Sequence, residues 1–74
     1  MTKQEIIAEI KERYNKKSVL SKIETASYLG ISVTTIDRLI SAGKGLSYID
    51  AGGHKKFHAS HIADYLIANE TRAA

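Results

Sequence analysis

The side chains whose types and spacing suggest a chemical function lie on a short helix predicted to begin after Ser32. Ser32 is a favourable N-cap, because its hydroxyl can accept hydrogen bonds from the N–H groups of the next turn. At about 100° per residue, Thr34, Arg38 and Ser41 share the face opposite the apolar residues. Hydroxyls can bond bases or phosphates, and an arginine can bind guanine bidentately. This face suits a helix that enters the major groove of DNA, although any small helical bundle also contains amphipathic helices.

This helix and the one before it have the spacing of a helix-turn-helix. The preceding helix is predicted to begin at Lys22, because Ser21 and Glu24 form a capping-box pattern. Gly30 follows its last apolar residue and suits the left-handed conformation that ends many helices. The residues expected to face inward are Ile23, Ala26, Leu29, Val33, Ile36, Leu39 and Ile40.

A β-hairpin is predicted after the helix-turn-helix. Residues 46–50 and 54–58 have strand-forming character and are joined by an Ala-Gly-Gly turn. An isolated two-stranded ribbon is marginally stable. Phe57 and either Tyr48 or Ile49 are therefore expected to be buried against the helices, which would make the hairpin a wing.

One further helix is predicted at each end of the chain. Thr2 and Glu5 form a capping box at the start of the first, and Ser60 is the expected N-cap of the last, over residues 61–69. The first helix has an apolar stripe that consists of Ile6, Ile7, Ile10 and Tyr14. The stripe either docks on the domain or pairs with another copy. Docking is favoured because so small a domain needs every apolar face.

The predicted fold is mainly α with a two-stranded β-hairpin, in one small domain of the 74-residue chain. Residues 1–17 form an amphipathic helix and turn, residues 18–69 form a winged helix-turn-helix domain, and residues 70–74 form a frayed tail. Val19 and Leu20 are a short extended segment between the first two helices.

Charge and composition favour an anionic partner in the cytoplasm. The net charge is +3 and the pI is about 9.3. Between residues 25 and 60 the only acidic residues are Asp37 and Asp50, so the middle is the most basic part. The sequence has no cysteine, which excludes a disulfide and a thiolate metal site. It also has no apolar run long enough for a membrane span and no signal-peptide pattern. We therefore expect a cytoplasmic protein that is associated with the nucleoid if it binds DNA.

Several side chains near these motifs are candidate phosphate contacts. Lys22 lies at the start of a helix, where its positive charge interacts unfavourably with the helix dipole. Either a bound phosphate or solvation of the ammonium would offset this interaction. Lys55 and Lys56 follow the Gly-Gly turn, where phosphate contact is favoured over plain protection of a strand edge. His54 would bind phosphate more strongly when protonated. The complete predicted DNA-binding set is Lys22, Ser32, Thr34, Thr35, Arg38, Ser41, Lys44, His54, Lys55 and Lys56.

The candidate residues of the Arg38 helix also have a plainer interpretation. Arg38 could instead be the surface ion-pair partner of an acid, with Asp37, Glu24 and Asp64 as the candidates. Thr34 and Thr35 are adjacent β-branched residues that favour helix poorly. Their presence in the first turn is better explained if their hydroxyls contact a ligand.

No metal, cofactor or enzymatic activity is expected. The three histidines have neither a cysteine nor a convincing carboxylate beside them, which is unlike a metal site. No pattern sets a base beside a nucleophile, and phosphate-loop and dinucleotide-binding patterns are absent from the sequence.

The motifs together form an ordered pattern from residue 19 to residue 67. The matching residues are Glu24, Ala26, Leu29, Gly30, Ile31, Ser32, Thr35, Arg38, Gly43, Gly52, Gly53, His54, Lys55, Lys56, Phe57 and Leu66. In this order the pattern resembles the small winged helix-turn-helix domains of the excisionase family, which are related to the DNA-binding domains of the mercury-resistance regulator (MerR) family.

The resemblance implies a protein of a bacterium, phage or mobile element that binds double-stranded DNA. Relatives act as recombination directionality factors that bend DNA at repeated sites beside an integrase, or as small transcription regulators. Partners would then be DNA, neighbouring copies and an integrase or other recombinase. A hypothesis of a different class is a protein-interaction module that holds an integrase without contacting DNA, through the apolar stripe of the first helix and Ile67.

Overall fold

The computed structural model describes residues 2–69, so the predicted frayed tail at residues 70–74 lies outside the described range. The helices in this range are α1 (Lys3–Arg13), α2 (Lys22–Leu29), α3 (Val33–Ser41) and α4 (Ala59–Ala68). The strands are β1 (Val19–Ser21), β2 (Ile49–Ala51) and β3 (His54–His58). Within residues 2–69, no helix has the length and apolar character needed to cross a membrane.

Local hydrogen bonds fix the starts of α1, α2 and α3 as predicted. Both capping boxes form: at α2 the Ser21 hydroxyl accepts from the Glu24 N–H, and the Glu24 carboxylate accepts from the Ser21 N–H. That backbone bond, followed by the bond from Lys17, holds the pKa of Glu24 below its ordinary value. Because the folded-state pKa is lowered, this contribution to stability is lost only as the pH falls through it. Gly30 ends α2 with φ of 73°, as predicted.

The predicted two-stranded hairpin is part of a three-stranded antiparallel sheet with the order β1-β3-β2. The short extended segment that contains Leu20 becomes β1, and Leu20 lies opposite Phe57. β2 is shorter and later than the predicted 46–50. Gly52 and Gly53, with φ of 59° and 85°, form the two-residue turn between Ala51 and its partner His54. Positive φ at both turn positions suits the twist of a tight hairpin, which sets this register.

Burial of Phe57 is confirmed, but the expected second anchor is wrong. Phe57 is fully buried, whereas Tyr48 and Ile49 are 42% and 41% exposed. Leu46, which precedes β2, is buried instead. The core residues are Ile6, Ile10, Leu20, Ala26, Ile36, Leu46, Phe57, Ala59, Ile62 and Ala63.

Two residues expected to face inward from the helix-turn-helix are exposed. Ile23 is 72% exposed, and Thr25 occupies the inner face of α2 instead. The buried Thr25 hydroxyl donates to the Ser21 carbonyl at 2.8 Å, so its polar group is satisfied. Val33 is 37% exposed. It is the first residue of α3, and its side chain leans beyond the helix start, where no turn covers it.

The N-terminal helix docks on its own chain, as favoured. Ile6 and Ile10 of α1 are buried, and the helix packs chiefly on α4. Tyr28 of α2 donates to Glu9 of α1 at 2.9 Å. Burial, followed by this hydrogen bond, raises the pKa of Tyr28 to about 12, so the phenol remains a donor at neutral pH. A second tyrosine, Tyr14, donates to the Glu24 carbonyl.

The last helix begins earlier than predicted. The N-cap of α4 is His58, whose Nδ1 accepts from the Ser60 N–H at 3.1 Å, so Ser60 is not the cap. The backbone N–H of Ala59 donates to the Ser18 carbonyl at 2.8 Å. The pairing of β1 with β3 therefore continues directly into the first residue of α4. Ile67 is 40% exposed, as expected.

Replacing Phe57 with Ala is expected to lower the free energy of unfolding by about 3–5 kcal/mol, because the substitution leaves a cavity in the core. A loss of that size is a large part of the stability of a small domain. Thermal melting followed by circular dichroism measures the effect. Ile49→Ala in the neighbouring strand is the control and should cost far less. Equal melting of the two variants would contradict the packing described here.

Replacing Ile10 with Ala is expected to cost about 2–5 kcal/mol, because Ile10 is buried in the same chain. Light scattering of the unmodified protein should give a monomer, with melting independent of protein concentration. A melting temperature that rises with concentration would indicate that α1 pairs between copies.

Candidate nucleic-acid interface

The N-terminus of α3 is held by two of the predicted DNA-binding hydroxyls. The Ser32 hydroxyl accepts from the Thr35 N–H at 3.1 Å and lies 2.9 Å from the Thr35 hydroxyl. Ser32 is exposed and Thr35 is half-buried. The structure therefore gives both residues a role in starting the helix, and any DNA contact would be additional.

The outer face of α3 is open to solvent. Thr34, Arg38 and Ser41 are all exposed, while Ile36 on the opposite side is fully buried. The predicted solvent-exposed face, with two hydroxyls and one guanidinium, is therefore present on α3. The face is free to approach a ligand without rearrangement of the core.

Arg38 has no ion-pair partner among residues 2–69. The three acids that were alternative partners for it are each paired with a lysine. These pairs are Lys22–Asp37 at 2.7 Å, Lys17–Glu24 at 3.0 Å and Lys3–Asp64 at 3.0 Å. The guanidinium is therefore available for a ligand.

Lys22 contacts α3 and also lies beside the hairpin. Its ammonium donates to Asp37 of α3, and its side chain also borders an open groove beside the hairpin. The groove has a volume of about 270 Å³. Its lining residues are Ser21, Lys22, Ile23, Gly53, His54, Lys55 and Lys56. The groove therefore brings together predicted site residues of α2 and the hairpin, and the Lys22–Asp37 pair links it to α3.

The two hairpin lysines lie on different faces of β3. The Lys55 ammonium lies 5.7 Å from the centroid of the Tyr48 ring, a cation–π geometry, and Asp50 is its cross-strand neighbour. Lys56 is paired in register with Ile49 on the other face. Both lysines are half-buried and His54 is exposed. All three nevertheless border the groove at the strand edge.

Lys44 stands apart from the groove. It is exposed and follows Gly43, which has φ of 64° after α3. The Lys44 N–H donates to the Leu39 carbonyl at 3.0 Å, which satisfies a backbone group at the helix end. Its charge lies at the favourable end of the α3 dipole.

No group of three or more potential metal-ligating side chains occurs in the part of the chain that the structure describes. The His58 and His61 rings are 5.9 Å apart, and His58 Nδ1 is engaged in the α4 cap. His61 Nδ1, by contrast, is buried without a hydrogen-bond partner within residues 2–69.

Two features of this surface were missed from sequence. The Lys22–Asp37 pair joins residues 15 positions apart, and its only signal was a lysine at an unfavourable helix start. Ile23 was assigned to the core, yet it borders the groove. Ile23 faces outward because Thr25, two residues later, occupies the inner face of α2. This orientation depends on how α2 packs against the rest of the domain.

A pair of capped helices joined at a left-handed glycine, with an exposed second helix and a basic hairpin beside it, defines a helix-turn-helix domain. The family model described as a helix-turn-helix domain matches residues 19–70, well over half of the 74-residue chain. The chain belongs to this family. Comparisons with curated proteins and with solved structures give no significant match. Family membership supports double-stranded DNA as the partner, while the whole of α1 lies before the matched range.

Replacing Asp37 with Asn is expected to strengthen binding to all duplexes. The change removes a negative charge from α3 and releases the Lys22 ammonium for a phosphate. The slope of log K against log salt should steepen by about one. Asp64→Asn is the matched control, because it breaks the Lys3 pair away from the groove and should leave DNA affinity unchanged. Equal behaviour of the two variants would contradict a DNA-facing Lys22–Asp37 pair.

Proposed function

We propose that this protein binds double-stranded DNA with sequence preference, through insertion of α3 into the major groove. The observation that carries this proposal is the exposed α3 face, on which Arg38 is unpaired within residues 2–69. The Lys22–Asp37 pair links α3 to the groove beside the basic hairpin. In helix-turn-helix complexes the second helix lies in the major groove. The hairpin would then contact the adjacent minor groove or backbone, as a wing does.

Affinity and specificity would come from different parts of this surface. Neutralisation of phosphates by Lys22, Lys55 and Lys56 supplies sequence-independent affinity. Thr34 and Arg38 would contact base edges, because hydroxyls bond several bases and arginine binds guanine bidentately. Ser41, Thr35, Ser32, Lys44 and His54 would be flanking contacts.

The form of this function that we propose is a recombination directionality factor of the excisionase type. The ordered sequence pattern supports it, and the helix-turn-helix family membership is compatible with it. One small module has a small footprint, so useful affinity implies several copies on repeated sites, where bending of the DNA adds specificity. A neighbouring integrase would be the partner. A small transcription regulator of the MerR-related type is the second candidate. Neither role requires enzymatic activity, and both belong at the nucleoid.

A pure protein-interaction module is less well supported. The surface that it would use is the apolar stripe of α1, but Ile6 and Ile10 are buried in the same chain. Ile67 remains exposed but is a single side chain. Single exposed apolar residues are ordinary on protein surfaces.

Titration of duplex DNA at two salt concentrations tests DNA binding directly. We expect affinity to fall steeply with salt and to be higher for duplexes selected from a random library than for unrelated ones. Gel mobility of a selected site placed centrally or terminally in a fragment then tests bending. A protein that binds no duplex even at low salt would overturn the proposal.

Replacing Arg38 with Ala is expected to cost about 1–3 kcal/mol on the selected duplex and to flatten sequence preference, with the fold intact. The contrasting variant carries Lys55→Ala and Lys56→Ala together. It should weaken binding to all duplexes alike and lower the salt slope by up to about two. Fluorescence anisotropy on selected and unrelated duplexes measures both effects. An Arg38 variant that keeps its preference would remove Arg38 from the base-contacting set.

A further inference from the structure

Among the large apolar side chains of residues 2–69, that of Ile23 is the most exposed, at 72%. A single exposed isoleucine is ordinary, so exposure alone indicates nothing. Its surroundings are unusual, because it borders the groove between the start of α2 and the hairpin tip. The ionisable side chains around this groove are Lys22, His54, Lys55 and Lys56.

The sheet geometry explains why the groove is open. β1 ends at Ser21, opposite Lys56 of the central strand. The strand residues nearest the turn, His54 and Lys55, therefore have no pairing partner from β1 within the described sheet. α2 begins at this point, and its first residues, Lys22 and Ile23, line the groove together with hairpin residues 53–56.

The composition of the groove specifies the chemistry of its occupant. The basic side chains favour an anion, and the exposed side chain of Ile23 at the same place favours an apolar group next to that anion. The backbone of a nucleic acid alternates these two features, with a phosphate on each side of a deoxyribose ring. The groove is also linked to α3 by the hydrogen bond from Lys22 to Asp37.

We propose that one strand of the DNA backbone lies in this groove, with a deoxyribose against Ile23 and flanking phosphates on Lys22 and the hairpin cations. This inference deepens the proposed function and rests on it. Since every nucleotide carries the same sugar, the Ile23 contact adds affinity without sequence preference. It also fixes the strand between α3 and the hairpin, so both elements bind in one register.

Ile23→Ser tests the contact, because a 72% exposed side chain can be replaced without loss of core packing. The matched control is Ile67→Ser, an exposed isoleucine of α4 that does not border the groove. Dissociation constants are measured by fluorescence anisotropy on a selected and an unrelated duplex at two salt concentrations, with melting curves to confirm folding. Lys56→Ala serves as the comparison for a charge contact.

The expected result is a loss of about three- to tenfold in affinity for Ile23→Ser on both duplexes, with the salt slope unchanged, since no charge is lost. Ile67→Ser should bind like the unmodified protein, and Lys56→Ala should lower the slope by about one. Ile23→Leu should restore most of the affinity. These outcomes together support a sugar contact.

Other outcomes overturn the inference in distinguishable ways. If the unmodified protein binds DNA with the expected salt dependence but Ile23→Ser binds equally well, the groove contact is wrong and the proposed function stands. That outcome would leave an acidic peptide of a protein partner as the alternative occupant. A loss confined to the selected duplex would indicate a base contact instead of a sugar contact. If the unmodified protein binds neither duplex, the proposed function itself fails.

Discussion

The arrangement of this molecule depends on the burial of Phe57 in the central strand of the sheet. Phe57 lies opposite Leu20 of β1 and is fully buried with it. Through this contact the strand that follows the glycine turn is attached both to β1 and, through His58, to the start of α4. Without it the hairpin would be an isolated ribbon, and such ribbons are marginally stable. The groove and the basic surface beside α3 exist because this side chain fixes the hairpin against the helices.

Charge pairing decides which side chains of the surface are available to a ligand. Lysines pair with Asp37, Glu24 and Asp64, while Arg38 makes no ion pair within residues 2–69. Exposed pairs contribute little to stability, so their main effect here is on availability. Lys22 must exchange Asp37 for a phosphate if it contacts DNA, which reduces its contribution to sequence-independent affinity.

Much of the candidate site could be predicted from the sequence, but the contacts that join α2 to α3 and to the hairpin could not. The exposed face with Thr34, Arg38 and Ser41 follows from helical periodicity alone. The engagement of Ser32 with Thr35 also follows from the N-cap position. By contrast, the groove brings Ile23 to the edge of a strand some thirty positions away, and no local pattern indicates that approach. The family match and the exposed α3 face both support DNA binding by this surface.

The sequence by itself determined the features that depend on residues within a few positions of each other. Both capping boxes, the Ser32 cap and the left-handed Gly30 are such features, because their hydrogen bonds and φ angles are local. Only the tertiary structure decided that β1 joins the sheet, that Leu46 is buried where Tyr48 or Ile49 was expected, and that Ile23 faces outward. Burial of a side chain depends on which distant residues can cover it, and the local pattern carries no information about those partners.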